Sequence, residues 1–314
     1  MNQARAFWIT APGQGEIRTE TLWPQPGQIR VRTLATGVSR GTESLVFAGR
    51  VPGSQHAVMR APLMGGDFPF PVKYGYSAIG LTPDLVRVFV LHPHQDLFDA
   101  PAAMCIPVPA EVPTERAVLA ANMETALNIL WDAAPLAGER ILVVGAGVVG
   151  LLTAALCARI PATRVTMVDI DPTRETLARK FGCDFALPDA APDEQELIIH
   201  ASASEAGLRL ALAKAAFEAR IVEASWFGDR TPSLPLGEAF HARRLRIVAT
   251  QVGSIAPPMR GRRAYADRLA TALELLADPV FDALLDAREQ FENLPTAMPR
   301  LLAGGLCHVV TYGS

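Results

Sequence analysis

The order of apolar and polar positions along the chain changes three times. Up to about residue 118, short apolar or alternating runs such as QIRVRTLATG and VRVFVL are separated every few residues by proline and glycine. This pattern predicts a β-rich unit. Helical periodicity then begins in ERAVLAANMETALNILWDAA, and beyond it apolar strands alternate with helices. That alternation predicts a parallel sheet with helices on both faces.

The individual elements of the alternating region can be read from the same pattern. The predicted strands are ILVVG, RVTMVDI, LIIHAS, RIVEAS and RLRIVATQV. The predicted helices begin near residue 148, in RETLARKFG and in AGLRLALAKAAF. After about residue 255 the pattern predicts a long amphipathic helix, RRAYADRLATALELLAD, and a β-like tail with a short helix, FENLPTAMPRLLAGGLCHVVTY. The tail is expected to pack back on the N-terminal unit, so that one domain is discontinuous.

Composition narrows the functional classes. A chain of 314 residues is longer than one hydrophobic core usually serves, which predicts two domains. Its net charge of -3 provides no electrostatic reason to bind nucleic acid or anionic lipid. The four cysteines form no CxxC pair, which favours neither a disulfide framework nor a structural zinc lobe, and a reducing cytoplasm is the expected compartment. Neither a signal peptide nor a membrane span is predicted.

The stretch ILVVGAGVVG carries the most specific chemistry. A GxGxxG motif follows an apolar strand and opens a helix, and Asp169 ends the next strand 19 residues after Gly150. The predicted diphosphate-binding turn consists of Gly145, Gly147, Val148, Val149 and Gly150. Asp169 would accept the adenosine ribose hydroxyls and repel a 2′-phosphate, which predicts NAD as the cofactor in preference to NADP.

In this arrangement the chain resembles the medium-chain dehydrogenase/reductase superfamily. The resemblance implies a GroES-like, partly open β-barrel over residues 1–120 and 254–314, and a Rossmann domain over 121–253. The S-x-G-T-E stretch from Ser39 to Glu43 is similar to that of the bacteriochlorophyllide a dehydrogenases. The resemblance does not imply the pigment substrate for this chain, because the segment that follows is longer than expected for those enzymes.

The resemblance also predicts that this chain lacks the catalytic zinc. The positions that match the zinc ligands of the alcohol dehydrogenases are occupied by Ser39, Tyr76 and about Ala121. Zinc prefers thiolate, imidazole or carboxylate ligands, so no metal is expected. His92 and His94 could be proposed as a replacement site, but two hydrogen-bonded or exposed histidines at a strand exit are the better interpretation.

Without zinc, hydroxyl groups have to stabilise the substrate oxyanion. Tyr76 is the first candidate, and Lys73 upstream of it could lower its pKa or be plainly solvated. Ser39 and Thr42 are the second candidates, although Ser39 could equally be a small residue that fills the vacant metal position. Glu43 is expected to anchor the loop.

Two further residues are assigned to the cofactor by the resemblance. Arg40 matches an arginine that contacts the diphosphate in relatives, and Thr125 matches a threonine that packs on the nicotinamide ring. Asn122 and Glu124, near the domain boundary, could face the cleft or be structural.

Three functional hypotheses follow. The first is a zinc-independent, NAD-dependent oxidoreductase whose small-molecule substrate is an alcohol or a ketone. The second is a reductase of enones or quinones, and the third is a dinucleotide-binding protein without activity. A homodimer is also predicted, formed through RLRIVATQV as the edge strand of the Rossmann sheet.

Overall fold

The computed structural model describes residues 2–313, and the chain divides into two compact units. The first comprises Met1–Ala121 with Leu269–Ser314, and the second comprises Asn122–Arg268. The second boundary differs from the predicted one, because the segment 254–268 lies with the dinucleotide unit. The reason is Arg268, whose buried guanidinium contacts Glu124 at 3.0 Å and Asn128 at 2.6 Å within that unit.

The elements are numbered in chain order. The strands are β1 (Gln3–Ala11), β2 (Gln14–Thr21), β3 (Gln28–Ser39), β4 (Gly65–Gly66), β5 (Val72–Lys73), β6 (Ala78–Leu81), β7 (Arg87–Val90), β8 (Leu97–Pro101), β9 (Ile106–Pro107), β10 (Arg140–Val144), β11 (Arg164–Val168), β12 (Asp184–Ala186), β13 (Gln195–His200), β14 (Ala215–Glu223), β15 (Arg246–Ala249), β16 (Leu285–Gln290) and β17 (Cys307–Thr311). The α-helices are α1 (Arg40–Phe47), α2 (Thr114–Ala117), α3 (Ala120–Ala133), α4 (Val148–Cys157), α5 (Glu175–Lys180), α6 (Glu205–Lys214), α7 (Tyr265–Leu275) and α8 (Leu294–Ala303).

The first unit is a β structure in which β3 has the central place. One sheet has the order β2-β1-β5-β4, and the other has the order β16-β17-β3-β6-β7-β9, with β8 also paired to β3. Inward-facing apolar residues, among them Val31, Val88 and Phe98, form its core beneath β3. The tail returns to this unit as predicted, because β17 pairs antiparallel with β3 and brings Cys307 opposite Ser39.

The second unit is the predicted parallel sheet. Its strand order is β12-β11-β10-β13-β14-β15, and every neighbouring pair is parallel. The strand β10 is continuously apolar from Ile141 to Val144 because both of its faces are buried. Their carboxyl ends meet at one edge of the sheet, so the side chains that follow β10, β11, β13 and β14 are brought together there.

Two predicted helices end differently from the sequence pattern. The helix in AGLRLALAKAAF ends at Lys214, because Ala215 already pairs with Gln195 of the neighbouring strand. The helical pattern ERAVLAANMETALNILWDAA is divided between two helices, α2 and α3. None of the helices within residues 2–313 combines the length and the apolar character that crossing a bilayer requires.

The strand β15 ends the parallel sheet and supports a test of the predicted homodimer. All four of its residues are exposed, and the apolar Ile247 and Val248 are 36% and 39% exposed. Pairing of two such edges would cover them and complete their backbone hydrogen bonds. We expect a dimer in sedimentation at micromolar concentration, and a monomer after the change of Ile247 and Val248 to lysine. Leu136→Lys, at an exposed apolar residue outside β15, is the matched control, and a monomeric unmodified protein would contradict the prediction.

Candidate functional site

The three predicted catalytic hydroxyls come together where β3 ends and α1 begins. The Tyr76 hydroxyl donates to Ser39 Oγ at 2.5 Å, and Thr42 also hydrogen bonds to Tyr76. Ser39 occupies the N-cap position of α1, but its side chain makes no capping bond. A capping serine is usually worth about 1 kcal/mol to a helix. Here the Ser39 hydroxyl instead accepts the hydrogen bond from Tyr76.

Tyr76 is a hydrogen-bond donor and not a phenolate. Burial, and secondly the negative charge of Glu43, raise the pKa of Tyr76 to about 12, although the bonds from Ser39 and Thr42 lower it. The suggestion that Lys73 lowers this pKa is wrong. Lys73 Nζ is engaged at 2.7 Å by both Glu20 Oε2 and Gln95 Oε1. The charge of Lys73 is therefore neutralised by Glu20. Because the pKa of Tyr76 is raised, its hydroxyl keeps its proton at neutral pH.

Glu43 anchors the turn, as expected. Its Oε1 accepts the backbone N–H of Ser39 at 2.7 Å, and its Oε2 lies 3.0 Å from His94 Nε2. The other ring nitrogen of His94 lies 2.7 Å from the Thr36 hydroxyl. His92 points elsewhere and stacks on Phe98, with the ring centres 3.7 Å apart. Burial lowers the pKa of His92 to about 3, so it is a neutral core residue.

The residues at the matched zinc positions do not fit a zinc ion. Ser39 and Tyr76 offer hydroxyls that are bonded to each other, and Ala121 offers no donor. The nearby thiol of Cys307 is not a thiolate, because burial, with Asp286 and Glu43, raises its pKa to about 12. Within residues 2–313 no group of three or more histidine, cysteine, aspartate or glutamate side chains is arranged to bind a metal.

The glycine-rich turn of the second unit has the geometry that its three glycines predict. Gly145 has φ of +109°, and a Cβ there would lie 2.8 Å from the backbone of Ser202. A Cβ on Gly150 would lie 1.9 Å from the carbonyl oxygen of Gly145. Both positions therefore require glycine, the first for the turn and the second for the close packing of α4 on β10.

Gly147 leaves room for a ligand at the N-terminus of α4. It is exposed, and a Cβ built on it would meet no atom within 4 Å. It is also the N-cap residue of α4, and no side chain caps this helix. The amides of Val148, Val149 and Gly150 form the first turn and carry the partial positive charge that binds an anion. These residues therefore fit the diphosphate of a dinucleotide.

Asp169 stands beside the same turn, at the end of β11. Its Oδ2 accepts the backbone N–H of Ala146 at 2.6 Å, and its Oδ1 accepts that of Asp171 at 2.9 Å. Arg174 is a cation that could bind a 2′-phosphate, and its Nε lies 3.3 Å from Asp171 Oδ2. The carboxylate is thus fixed at the position from which a ribose is bound in dinucleotide folds.

The remaining predicted residues have the following places. The Arg40 guanidinium donates to the carbonyl oxygen of Gly305 at 3.0 Å within the first unit. Thr125 is half-buried on α3 in the second unit. Glu124 forms a buried ion pair with Arg268 and is therefore structural. Asn122 is buried. The assignment of Arg40 and Thr125 to the cofactor stays a prediction.

Sequence reasoning missed a polar network at the carboxyl edge of the parallel sheet. The fully buried His200 lies 2.6 Å from Glu223 Oε2 and 2.7 Å from Ser202 Oγ, and Ser204 Oγ lies 2.9 Å from Ser202 Oγ. His200 ends β13 and Glu223 ends β14, in paired register. The signal was present in LIIHAS and RIVEAS, where a polar residue ends each apolar strand.

Comparison with known protein sequences gives partial matches. No protein-family model matches the chain. L-threonine 3-dehydrogenase of Shewanella frigidimarina is 29% identical over 126 residues, which are 38% of this chain and 36% of that protein. An uncharacterized zinc-type alcohol dehydrogenase-like protein of Haemophilus influenzae is 26% identical over 175 residues, 52% of this chain and 51% of that protein. The matches thus span about half or less of these relatives' lengths.

Solved structures match over almost the whole chain. Benzyl alcohol dehydrogenase of Acinetobacter calcoaceticus is 14% identical, with a TM-score of 0.79 and all of both chains covered. An alcohol dehydrogenase of Escherichia coli complexed with NADH is 16% identical, with a TM-score of 0.79 over 99% of this chain and 100% of that one. A protein of Sinorhizobium meliloti described as a zinc-binding dehydrogenase and bound to NADP is 16% identical, with a TM-score of 0.78 and the same coverage. The chain therefore has the two-unit fold of these dehydrogenases.

Proposed function

We propose that the protein is a zinc-independent oxidoreductase that uses NAD(H) to transfer hydride between the nicotinamide and a small alcohol or ketone. The observation that carries the proposal is the bonded pair of Tyr76 and Ser39 hydroxyls at positions that match zinc ligands in relatives. The geometry of the glycine-rich turn and of Asp169 supports the dinucleotide. A cytoplasmic location is part of the proposal, because all four cysteines are free thiols.

The bound nicotinamide would supply or accept the hydride. The chain's own residues then have to stabilise the charge that develops on the substrate oxygen. Tyr76 is suited to this task because its hydroxyl is protonated and its pKa lies far above neutral pH. In the proposed site its O–H turns from Ser39 to the substrate oxygen, and the hydroxyls of Ser39 and Thr42 hydrogen bond to Tyr76.

One observation favours the second candidate, a reductase of enones or quinones. Because burial and Glu43 raise the pKa of Tyr76 to about 12, it is a reluctant proton donor. In enone reduction hydride adds to carbon, and the oxygen requires less electrophilic help than in ketone reduction. Such a reaction could take its proton from solvent.

A turnover panel separates these candidates. Purified protein would be assayed with NADH and NADPH against ketones, aldehydes, enones and quinones, and with the oxidised cofactors against alcohols. Turnover of alcohols and ketones is the expected result. Turnover of enones or quinones alone would favour the second candidate. Tight NADH binding without turnover of any compound would overturn both and indicate a dinucleotide-binding protein that has no activity.

Metal content gives an independent test. Because hydroxyls and a methyl group occupy positions 39, 76 and 121, we expect purified protein to contain far less than one zinc per chain. Elemental analysis after mild chelation measures this directly. About one zinc per chain, retained through chelation, would contradict zinc independence.

A further inference from the structure

Glu43, whose charge helps to raise the pKa of Tyr76, forms a buried polar pair with His94. The Glu43 side chain is 5% exposed and that of His94 is 1% exposed, and their Oε2 and Nε2 atoms lie 3.0 Å apart. Placing such groups out of water is costly unless their hydrogen bonds are satisfied. Here the hydrogen bonds of both side chains are satisfied, and the residues that accept or donate them show what the pair holds in place.

The first contact of the pair is with the residue that accepts the Tyr76 hydrogen bond. Glu43 Oε1 accepts the backbone N–H of Ser39 at 2.7 Å. This bond fixes the turn that begins α1. Without it, the Ser39 hydroxyl could rotate to the free amides of the helix, which is the usual bond of an N-cap serine. Glu43 thereby keeps the Ser39 hydroxyl available to Tyr76.

The second contact is with the segment that carries Tyr76 itself. Gly75 has φ of +126°, and a Cβ there would lie 3.1 Å from His94 Cδ2 and 3.2 Å from the His94 backbone nitrogen. The chain therefore passes directly against the His94 ring one residue before Tyr76. His94 limits where the Tyr76 backbone can lie.

The pair is itself attached to rigid parts of the barrel. His94 Nδ1 lies 2.7 Å from the hydroxyl of Thr36, a fully buried residue of β3, and Thr36 Oγ1 lies 3.1 Å from the hydroxyl of Tyr312. The His94 carbonyl oxygen accepts the backbone N–H of Phe7 in β1 at 2.9 Å. A hydrogen-bonded site supported by strands is positioned more precisely than one supported by a loop alone.

From these contacts we propose that Glu43 and His94 are positioning residues, which hold the Ser39 and Tyr76 hydroxyls in register and place a fixed negative charge beside them. The inference rests on the proposed function only for its catalytic meaning, since the effect on Tyr76 is a property of the free protein. Carboxylate charge and turn geometry act together: the bond to Ser39 sets the position, and the charge keeps the Tyr76 proton in place.

The test observes Tyr76 directly by nuclear magnetic resonance. The chain has four tyrosines, so the ζ-carbon resonance of Tyr76 in protein labelled at that carbon is assigned by its loss in Tyr76→Phe. Its titration would be followed in the unmodified protein and in Glu43→Gln, which keeps the shape and removes the charge. We expect the midpoint to fall by about one pH unit or more in Glu43→Gln, as for loss of a nearby charge. Glu205→Gln, at an exposed carboxylate paired with Arg209 in the second unit, should leave it unchanged.

A second variant tests the same inference if Glu43→Gln fails to fold. Thr36→Val is close to isosteric and removes the hydroxyl that bonds to His94 Nδ1, so the Tyr76 resonance should shift at neutral pH while circular dichroism stays the same. If neither Glu43→Gln nor Thr36→Val changes the Tyr76 resonance or its titration, the inference is overturned. Turnover is measured separately. Full activity of Tyr76→Phe would show that Tyr76 is not catalytic, and the resonance of Tyr76 would still test whether Glu43 and His94 position its hydroxyl.

Discussion

Tyr76→Phe is expected to lower turnover of the best substrate in the panel about 100-fold or more, the usual scale for loss of a positioned acid. The change deletes one hydroxyl and keeps the ring, which packs edge-on against Tyr74 with the ring centres 6.0 Å apart. Folding and NADH affinity should therefore be retained. Steady-state kinetics, circular dichroism and NADH fluorescence together measure these three properties.

Tyr74→Phe is the matched control for this prediction. Tyr74 is a buried neighbouring tyrosine and stays protonated because burial raises its pKa, but no hydroxyl pair involves it. Its loss should cost little turnover and about 1 kcal/mol of stability at most. Unchanged turnover in Tyr76→Phe would move the role to Ser39 or Thr42, or favour enone reduction with a solvent proton.

The pH profile carries further information on the same residue. A raised pKa means that Tyr76 keeps its proton when a solvated tyrosine would begin to lose it, near pH 10. No loss of turnover from Tyr76 ionisation is therefore expected below about pH 10. A limb of the profile near neutral pH that disappears in Tyr76→Phe would show that the phenol titrates far below this expectation.

NADH is expected to bind more tightly than NADPH, and Asp169→Ala should narrow the gap. The change would remove two hydrogen bonds to the ribose hydroxyls and the repulsion of a 2′-phosphate. At about 1.5 kcal/mol for each of the two, the lower end of the range for a hydrogen bond to a charged group, NADH affinity should fall about 100-fold. Equilibrium titration of both cofactors by fluorescence measures the affinities.

Asp169→Asn controls for the structural part of this effect. Asp169 also accepts the backbone N–H groups of Ala146 and Asp171, and asparagine keeps one acceptor for the turn. Asp169→Asn should therefore lose the repulsion of NADPH with less damage to the turn. Equal affinities for NADH and NADPH in the unmodified protein would show that Asp169 does not select the cofactor, and Arg174 would then be the residue to change.

The carboxyl edge of the parallel sheet illustrates what a sequence pattern can and cannot give. The motif from Gly145 to Gly150 and its distance to Asp169 are local, and a Cβ on Gly150 would meet the carbonyl oxygen of Gly145 within the turn itself. His200 and Glu223 are 23 residues apart, and their contact depends on strand register. Each was visible as a polar residue after an apolar strand, but the pairing required knowing that β13 and β14 are neighbours.

The sequence by itself determined the two-unit plan, the parallel sheet and the dinucleotide turn, because each follows from periodicity or spacing within a few tens of residues. The family resemblance singled out Ser39 and Tyr76 through their matched positions, and Thr42 was predicted as a further hydroxyl near them. Only the tertiary structure decided that Tyr76 donates to Ser39 across 37 residues and that Glu43 meets His94 across 51. It also decided the protonation of Tyr76, since burial and the Glu43 charge exist only once distant strands have packed together.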